Sequence, residues 1–553
     1  MKKNTKFKKI IIIVLAIVLV AGIAAIKPVT DIIKADRNTK IFLSYRPECH
    51  DISLSKEQML EDFEYLFNIA VTNAYTKKYA EQYYKVDYDE IYVTYKKKVE
   101  ECKDEYEFVA LMIDLDCRLP GSHSYVRPPM NENMFSLDFL PSKNLNKEMV
   151  EVNYSLSKKI EERMKEYNQK FAIAYYYDGD YMFSDPEAVG FERIEGLDYA
   201  RIVSLNGESV KDVIKNMDTF LHWRYDADND SVFVESIIFN DGVGDKYDAE
   251  IELPDGTIIH KELYASAEYN VAYVYRNSLY PDKSEDDDTN NAETKNDKET
   301  ENETVKKSYT IETDKDRRLV YANIRECNVS EKASVKEDLT SALEEADAEY
   351  VIIDLRYNRG GECDLILEGV LPPILNKDAG HINYTLHPNE KFARDYYGNV
   401  LYSIWRGFRK SEGKIRAREN FKVKGEAQKE YKVFVLTDHK TFSSGDICAY
   451  VAKQAGATLI GQNTGGEGIS GNPLINYMPN SKLIFGYVDG ISEVYPEDNY
   501  LGTTPHYYVK TDWDAMMNAM DLFPDMDADV YRTYQNRLKW DPCIIKAIEL
   551  IEE

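Results

Sequence analysis

The chain has 553 residues, more than one ordinary hydrophobic core takes in, so two or three domains are expected. With 97 Asp and Glu against 69 Lys and Arg, its formal net charge is -28. Phosphate neutralisation needs a basic face, and no Lys/Arg cluster stands out beyond the N-terminus, which argues against nucleic acid as a partner. The seven cysteines are scattered without a Cys-x-x-Cys pair, so neither a zinc site nor a disulfide framework is indicated.

Residues 1–9 form a basic tail with Lys2, Lys3, Lys6, Lys8 and Lys9. Ile10 to Ile26 is then uncharged and almost wholly aliphatic, at the short end for a bilayer span and long for a signal-peptide core. The lysines should stay in the cytoplasm, which places the chain after Lys27 outside. The expectation is one transmembrane helix anchoring an extracellular remainder in the cell membrane. The small residues from Ala21 to Ala25 leave cleavage open.

After a stalk over 27–52, residues 53–150 read as a helical region. Met59, Phe63, Leu66, Phe67 and Ala70 recur at helical spacing, as do Phe108, Leu111, Met112 and Leu115. Ser55 and Gln58 resemble a capping box. The second pattern stops at Leu119-Pro120-Gly121, and Ser122-His123-Ser124-Tyr125 follows on the loop. Residues 165–275 are strand-rich, with turns at Asp178-Gly179, Asn206-Gly207 and Asp255-Gly256, and suggest a small β domain. Residues 280–308 are acidic and nearly devoid of apolar side chains, so a disordered linker is expected there.

From 309 to 510 the pattern becomes alternating strand and helix, implying an α/β core with a buried sheet. One strand, Tyr350 to Leu355, ends in Asp354-Leu355-Arg356-Tyr357-Asn358-Arg359-Gly360-Gly361, and paired glycines let backbone N–H groups approach a ligand closely. A second, Val433 to Leu436, turns at Thr437-Asp438 into a helix that opens at Ser443-Ser444-Gly445-Asp446. Serine there is a usual helix cap. It is also where a hydroxyl stands beside unpaired amides able to stabilise an oxyanion. A third strand leads to Thr464-Gly465-Gly466-Glu467-Gly468. Residues 511–553 read as a mostly helical tail.

These four features together, in this order, resemble the C-terminal processing (tail-specific) serine peptidase family, in its tricorn-like Ser/His branch. The resemblance implies a catalytic core like the crotonase/Clp-protease spiral, with the β-rich domain as a PDZ-like module. It implies Ser443 as nucleophile and the amides of Ser444 and of Gly360 or Gly361 as the oxyanion hole. The processing branch activates its serine with a lysine, but the corresponding loop here carries Glu467, and no lysine lies between Lys453 and Lys482. The Ser122-His123 pair matches the tricorn motif instead, with His123 as general base. Glu497 is the candidate supporting acid, with Glu493 and Glu467 as rivals, and His439 is a competing base by proximity. The implied protein is an extracellular, membrane-anchored serine endopeptidase acting on protein or peptide substrates with no metal or organic cofactor. Two other readings stay open. One is a cell-surface binding protein that keeps the fold without the activity. The other is a lipid- or small-ligand-binding domain, marked by a deep apolar cavity with no histidine beside Ser443.

Overall fold

The computed structural model describes residues 50–553 except 74–76, 120–122, 127–146, 165–169, 184–193, 218–221, 267–306, 389–408, 412–413, 469–473, 489, 493–500, 512 and 524–527. The anchor expected over 10–26 and most of the acidic linker at 280–308 lie outside the described residues. Among the described residues no helix is long and apolar enough to cross a membrane.

The N-terminal region is helical. The Ser55 N–H donates to Gln58 Oε1 (2.9 Å) and the Gln58 N–H to Ser55 Oγ (3.3 Å), the two bonds of a capping box. They open α1 (Lys56–Asn73), which is followed by α2 (Tyr88–Glu101) and α3 (Glu105–Arg118). Phe63, Leu66 and Ala70 of α1 and Phe108, Met112 and Leu115 of α3 share one core with Phe485 and Tyr487 from far along the chain. The short strand β1 (Tyr125–Val126) leaves this region, and α4 (Lys147–Met164) precedes the β-rich part.

Six strands there close into a barrel: β2 (Phe171–Tyr177), β3 (Asp180–Phe183), β4 (Arg201–Leu205), β5 (Ser236–Asn240), β6 (Asp245–Glu252) and β7 (Ile258–Ala265), ordered β2-β3-β4-β6-β7-β5. The β2–β3 turn has φ of 46° at Asp178 and 100° at Gly179, the left-handed pair that a tight hairpin requires.

The core sheet also has six strands, beginning with β8 (Tyr309–Asp314) and β9 (Leu319–Ile324). Helix α5 (Lys332–Glu345) leads to β10 (Tyr350–Asp354), and β11 (Lys432–Thr437) leads through α6 (Ser444–Gln454) to β12 (Thr458–Gly461). Strands β13 (Leu474–Tyr477) and β14 (Ile484–Tyr487) pair with each other outside this sheet, and β14 also pairs with β1. Strand β15 (Tyr507–Tyr508) completes the core at the β12 edge, and α7 (Pro542–Glu552) ends the chain. All neighbours in the core sheet run parallel except β8 and β9. Val320, Val351, Ile353 and Val435 face α5 and α6, while Leu319, Ile352, Phe434 and Leu436 face Ile544 and Ala547 of α7. Both faces are covered, which is why these strands read as continuous apolar runs.

A buried charge cluster ties α7 to the end of β10. The Arg356 guanidinium grips both Asp541 oxygens (2.8 and 2.7 Å) and both Asp354 oxygens (2.9 and 2.7 Å), and Arg537 Nη1 donates to Asp354 at 2.8 Å. Asp541 also caps α7 through the amides of Cys543 and Ile544. Burial pushes the Asp354 carboxyl up, but Arg356 and Arg537 more than reverse this and hold it at about 2. The stability this adds is present above the ordinary aspartate value and is lost as pH falls through about 2. Removing one partner leaves the remaining charges buried and under-compensated. Asp541→Ala is therefore expected to cost about 3–5 kcal/mol, read as a lowered urea midpoint near neutral pH.

Candidate active site

Strands β10 and β11 pair in parallel register with Asp354 opposite Leu436, so the segments leaving their C-terminal ends run side by side. Asn358 stitches them together. Its Nδ2 donates to the Ile324 carbonyl (2.8 Å), its Oδ1 accepts from the Gly360 N–H (2.8 Å), and its carbonyl accepts from the Phe442 N–H (2.9 Å). Asp438 does the same from the other side, accepting from the amides of Tyr357 (3.2 Å) and Thr441 (2.8 Å). The two loops approach so closely that a Cβ on Gly360 would stand 2.6 Å from Ser443 Cβ and 2.9 Å from the Ser444 nitrogen. Glycine is the residue that fits.

Ser443 itself sits at φ 56°, ψ -120°, a region that non-glycine residues rarely adopt and that costs on the order of 1–3 kcal/mol. It precedes α6, yet its side chain makes no capping bond. The hydroxyl instead lies 2.9 Å from His123 Nε2. The other ring nitrogen, Nδ1, lies 3.1 Å from Glu467 Oε2. A carboxylate only accepts, so Nδ1 carries the proton and Nε2 is left to accept from Ser443 Oγ–H.

His123 arrives from outside the core sheet. Strand β1 pairs antiparallel with β14, Tyr125 opposite Gly486, and Ser124 Oγ accepts from the Val488 N–H at 3.0 Å. The imidazole rests against the Phe442 ring with centroids 4.9 Å apart. Glu467 is placed by a second strand-like contact. Phe442 and Gly466 form a parallel bridge, the Gly465 N–H donates to the Thr441 carbonyl (2.9 Å), and the Ser443 N–H to the Gly466 carbonyl (3.1 Å). Glu467 follows at φ 57° with its side chain 6% exposed, turned toward the ring.

Among the amides expected to hold an oxyanion, that of Gly360 is already bonded to Asn358. The amides of Gly361 and Ser444 donate to none of the described groups, and the Ser444 hydroxyl donates to the Gly361 carbonyl (2.6 Å), linking the two loops. Gly361 and Ser444 thus keep their amides available, and Gly360 allows the close approach of the two loops. Ser122, Glu493 and Glu497 lie outside the described residues. Among the described residues the acid that touches the imidazole is Glu467, one of the rivals on sequence grounds. His439 is buried against Tyr176 (centroids 4.9 Å) and Phe233 (5.3 Å), away from the hydroxyl, and burial lowers its pKa.

Sequence reasoning missed a cluster contributed from the barrel side. Glu235 forms ion pairs with Arg224 (2.8 Å) and Arg359 (3.1 Å), and the Arg224 guanidinium lies 4.2 Å over the Phe442 ring. Burial pushes the Glu235 carboxyl up, but Arg224, Arg359 and Lys440 overcome this and bring it to about 2. No motif marks these residues. Arg224 and Glu235 lie close on one β-ribbon, Arg224 being paired with Phe233, and Arg359 joins them only through docking against the loop that carries Gly360.

Residues 318–485 match peptidase family S41. That stretch, which holds Gly360, Ser443 and Glu467, is similar to the core of family S41 peptidases. The solved structure of mature CPAF complexed with lactacystin aligns over 90% of this chain and 99% of its own, at 13% identity and a TM-score of 0.50. The photosystem II D1 C-terminal processing protease aligns over 83% of this chain and 94% of its own, at 12% identity and a TM-score of 0.36. At these identities the CPAF likeness speaks for the fold alone. No curated protein matches the sequence.

Gly360→Ala drives a methyl group against Ser443 Cβ and the backbone of Phe442 and Ser444. Peptide turnover should fall on the order of 100-fold or more, the usual cost of spoiling an oxyanion site. Far-ultraviolet circular dichroism should stay unchanged.

Proposed function

We propose that the protein is a serine endopeptidase of the tricorn-like Ser/His kind, with Ser443 as nucleophile, His123 as general base and Glu467 as the acid that orients the imidazole. The observation that carries this reading is the continuous contact from Glu467 through His123 to Ser443, at 3.1 and 2.9 Å. Ser443 Oγ attacks the scissile carbonyl carbon while its proton passes to His123 Nε2. The carbonyl oxygen, now negative, accepts from the amides of Gly361 and Ser444. As the C–N bond breaks, Nε2–H returns the proton to the leaving amine. Water, deprotonated by the same nitrogen, then attacks the acyl ester, releasing the new carboxylate and restoring the hydroxyl. Glu467 keeps Nδ1 protonated throughout and faces the imidazolium that forms.

Family S41 implies peptide or protein substrates. The barrel, docked beside both loops, is the module we assign to holding the substrate chain, in the manner of a PDZ-like domain. Ile10 to Ile26 supplies the anchor, with the catalytic part outside the cell membrane. A histidine in contact with Ser443 speaks against the small-ligand-binding reading, and nothing in the site favours a purely binding role.

The detergent-solubilised full chain should be labelled covalently by a fluorophosphonate probe. Ser443→Ala should abolish labelling. Turnover should fall on the order of 10⁴-fold or more for His123→Ala and less steeply for Glu467→Gln. Labelling that persists in Ser443→Ala would place the nucleophile elsewhere. The anchor predicts recovery in the membrane fraction after alkaline carbonate washing and digestion of intact cells' exposed catalytic part by added protease; recovery in the soluble fraction would overturn it.

A further inference from the structure

The catalytic contacts leave one buried carboxylate unused. Asp446 lies three residues beyond Ser443 on the first turn of α6 and is 1% exposed. Its Oδ1 accepts from Thr464 Oγ1 (2.5 Å), Thr503 Oγ1 (2.7 Å) and the Thr503 N–H (3.2 Å), and its Oδ2 from the Gly468 N–H (3.2 Å). Thr464 and Gly468 bracket Glu467, so one carboxylate grips the loop on both sides of the residue that faces His123. The grip is close. A Cβ on Gly468 would stand 2.7 Å from Asp446 Oδ2, and one on Gly502 would stand 2.5 Å from Thr464 Oγ1. Thr464 Oγ1 also accepts from the Thr503 N–H (2.6 Å), closing a small ring of bonds.

Resting on the Ser/His reading above, we propose that Asp446 is a positioning residue. It locks the 464–468 loop to the nucleophile's helix so that the Glu467 carboxylate stays aimed at His123 Nδ1. The alternative is that Asp446 merely holds the helix start. An acid on the first turn commonly does so through that helix's own amides. Here all four donors belong to other segments. The site is also a costly place for a charge. Among the described residues no lysine or arginine pairs with Asp446, and burial raises its carboxyl to about 6 against the donors that lower it. A group with its folded value raised contributes stability below its unfolded value and loses it as pH rises through about 6. At pH 8 Asp446 is thus ionised at the expense of stability, and what it provides in return is geometry.

The test uses the detergent-solubilised full chain and the rate constant for fluorophosphonate labelling across pH. Asp446→Asn keeps one acceptor oxygen but turns an NH2 toward the Gly468 amide. Labelling at pH 8 should slow about tenfold or more, the scale of a sub-ångström misalignment, while the thermal midpoint is unchanged or raised. A carboxylate held beside an imidazole favours the charged ring, so the acidic limb of the profile should move to lower pH, as in Glu467→Gln. Because Asp446 acts through Glu467, Asp446→Asn should add nothing in the Glu467→Gln background. If Asp446→Asn does not fold, Thr464→Val and Thr503→Val each remove one donor and should shift the limb in the same direction. An unmoved limb, or full additivity with Glu467→Gln, overturns the proposal while the Ser/His reading stands. A wild-type chain that does not label overturns that reading and this inference with it.

Discussion

The site depends on the parallel pairing of β10 with β11. Five consecutive pairs, from Tyr350 opposite Lys432 to Asp354 opposite Leu436, fix the two strands in one register. Their side chains are buried on both faces, so a slip would move every large residue into the wrong layer. Loops leaving the strand ends then have no freedom in where they begin. What they do next is set by hydrogen bonds across the gap, through Asn358 and Asp438, and by the missing side chain of Gly360. The strained backbone at Ser443 persists because the surroundings over-determine it. Its amide is bonded to Gly466, its neighbour Phe442 to Asn358, and Asp446 on the following turn accepts from Thr464, Gly468 and Thr503.

Onto this fixed pair of loops the remaining groups are brought from a distance. His123 belongs to the N-terminal helical region and reaches the sheet because Phe485 and Tyr487 lie in the same hydrophobic core as α1 and α3. Pairing of β1 with β14 then sets its height above the serine. The contact between His123 and Ser443 is thus a consequence of packing between two regions, and its precision is that of a β ladder and not of a free loop. Glu467 is delivered by another ladder contact, the Phe442–Gly466 bridge. Ser443, His123 and Glu467 come from three separate segments, each held by backbone bonds at or beside its position.

This division explains what the sequence makes legible. Ser443 could be read because strand, turn, serine and helix are contiguous, and the glycines of 360 and 361 follow a buried strand directly. The helical stripes of α1 and α3, the capping box at Ser55 and the Asp-Gly hairpin of the barrel were equally local. His123 could be read only through the family motif, since no periodicity reports on a contact across 320 positions. The acid was harder still. Glu467 faces the imidazole because of a positive φ at its own position and a bridge at the residue before it, and neither leaves a mark on composition. Barrel closure rests on β2 meeting β5, with Phe171 opposite Asn240, a pairing that alternation alone does not specify. Arg359 joins the Arg224–Glu235 pair only by docking, and no local pattern in the sequence marks that meeting.

Why an imidazole and not an amine should serve this serine follows from where the nearby lysine goes. Lys440 lies three residues before Ser443, buried, and burial lowers its ammonium to about 8 despite the opposing pull of Asp438 and Glu235. On proximity and acidity it would suit a base. Its Nζ, however, sits over the rings of Tyr177 (4.7 Å), Tyr357 (4.9 Å) and Tyr175 (5.3 Å), a cage shared between the barrel and the loop that carries Gly360. Cation–π contacts of this kind reward the charged form and hold the chain end in place. The amine is thereby turned into a fastener between barrel and core, while the hydroxyl is left to His123. The loop position where a lysine would otherwise act carries Glu467, and a carboxylate there is useful only to a base with a second nitrogen to orient. In the proposed site Glu467 and His123 therefore belong to one chemistry, the carboxylate facing one ring nitrogen and Ser443 the other.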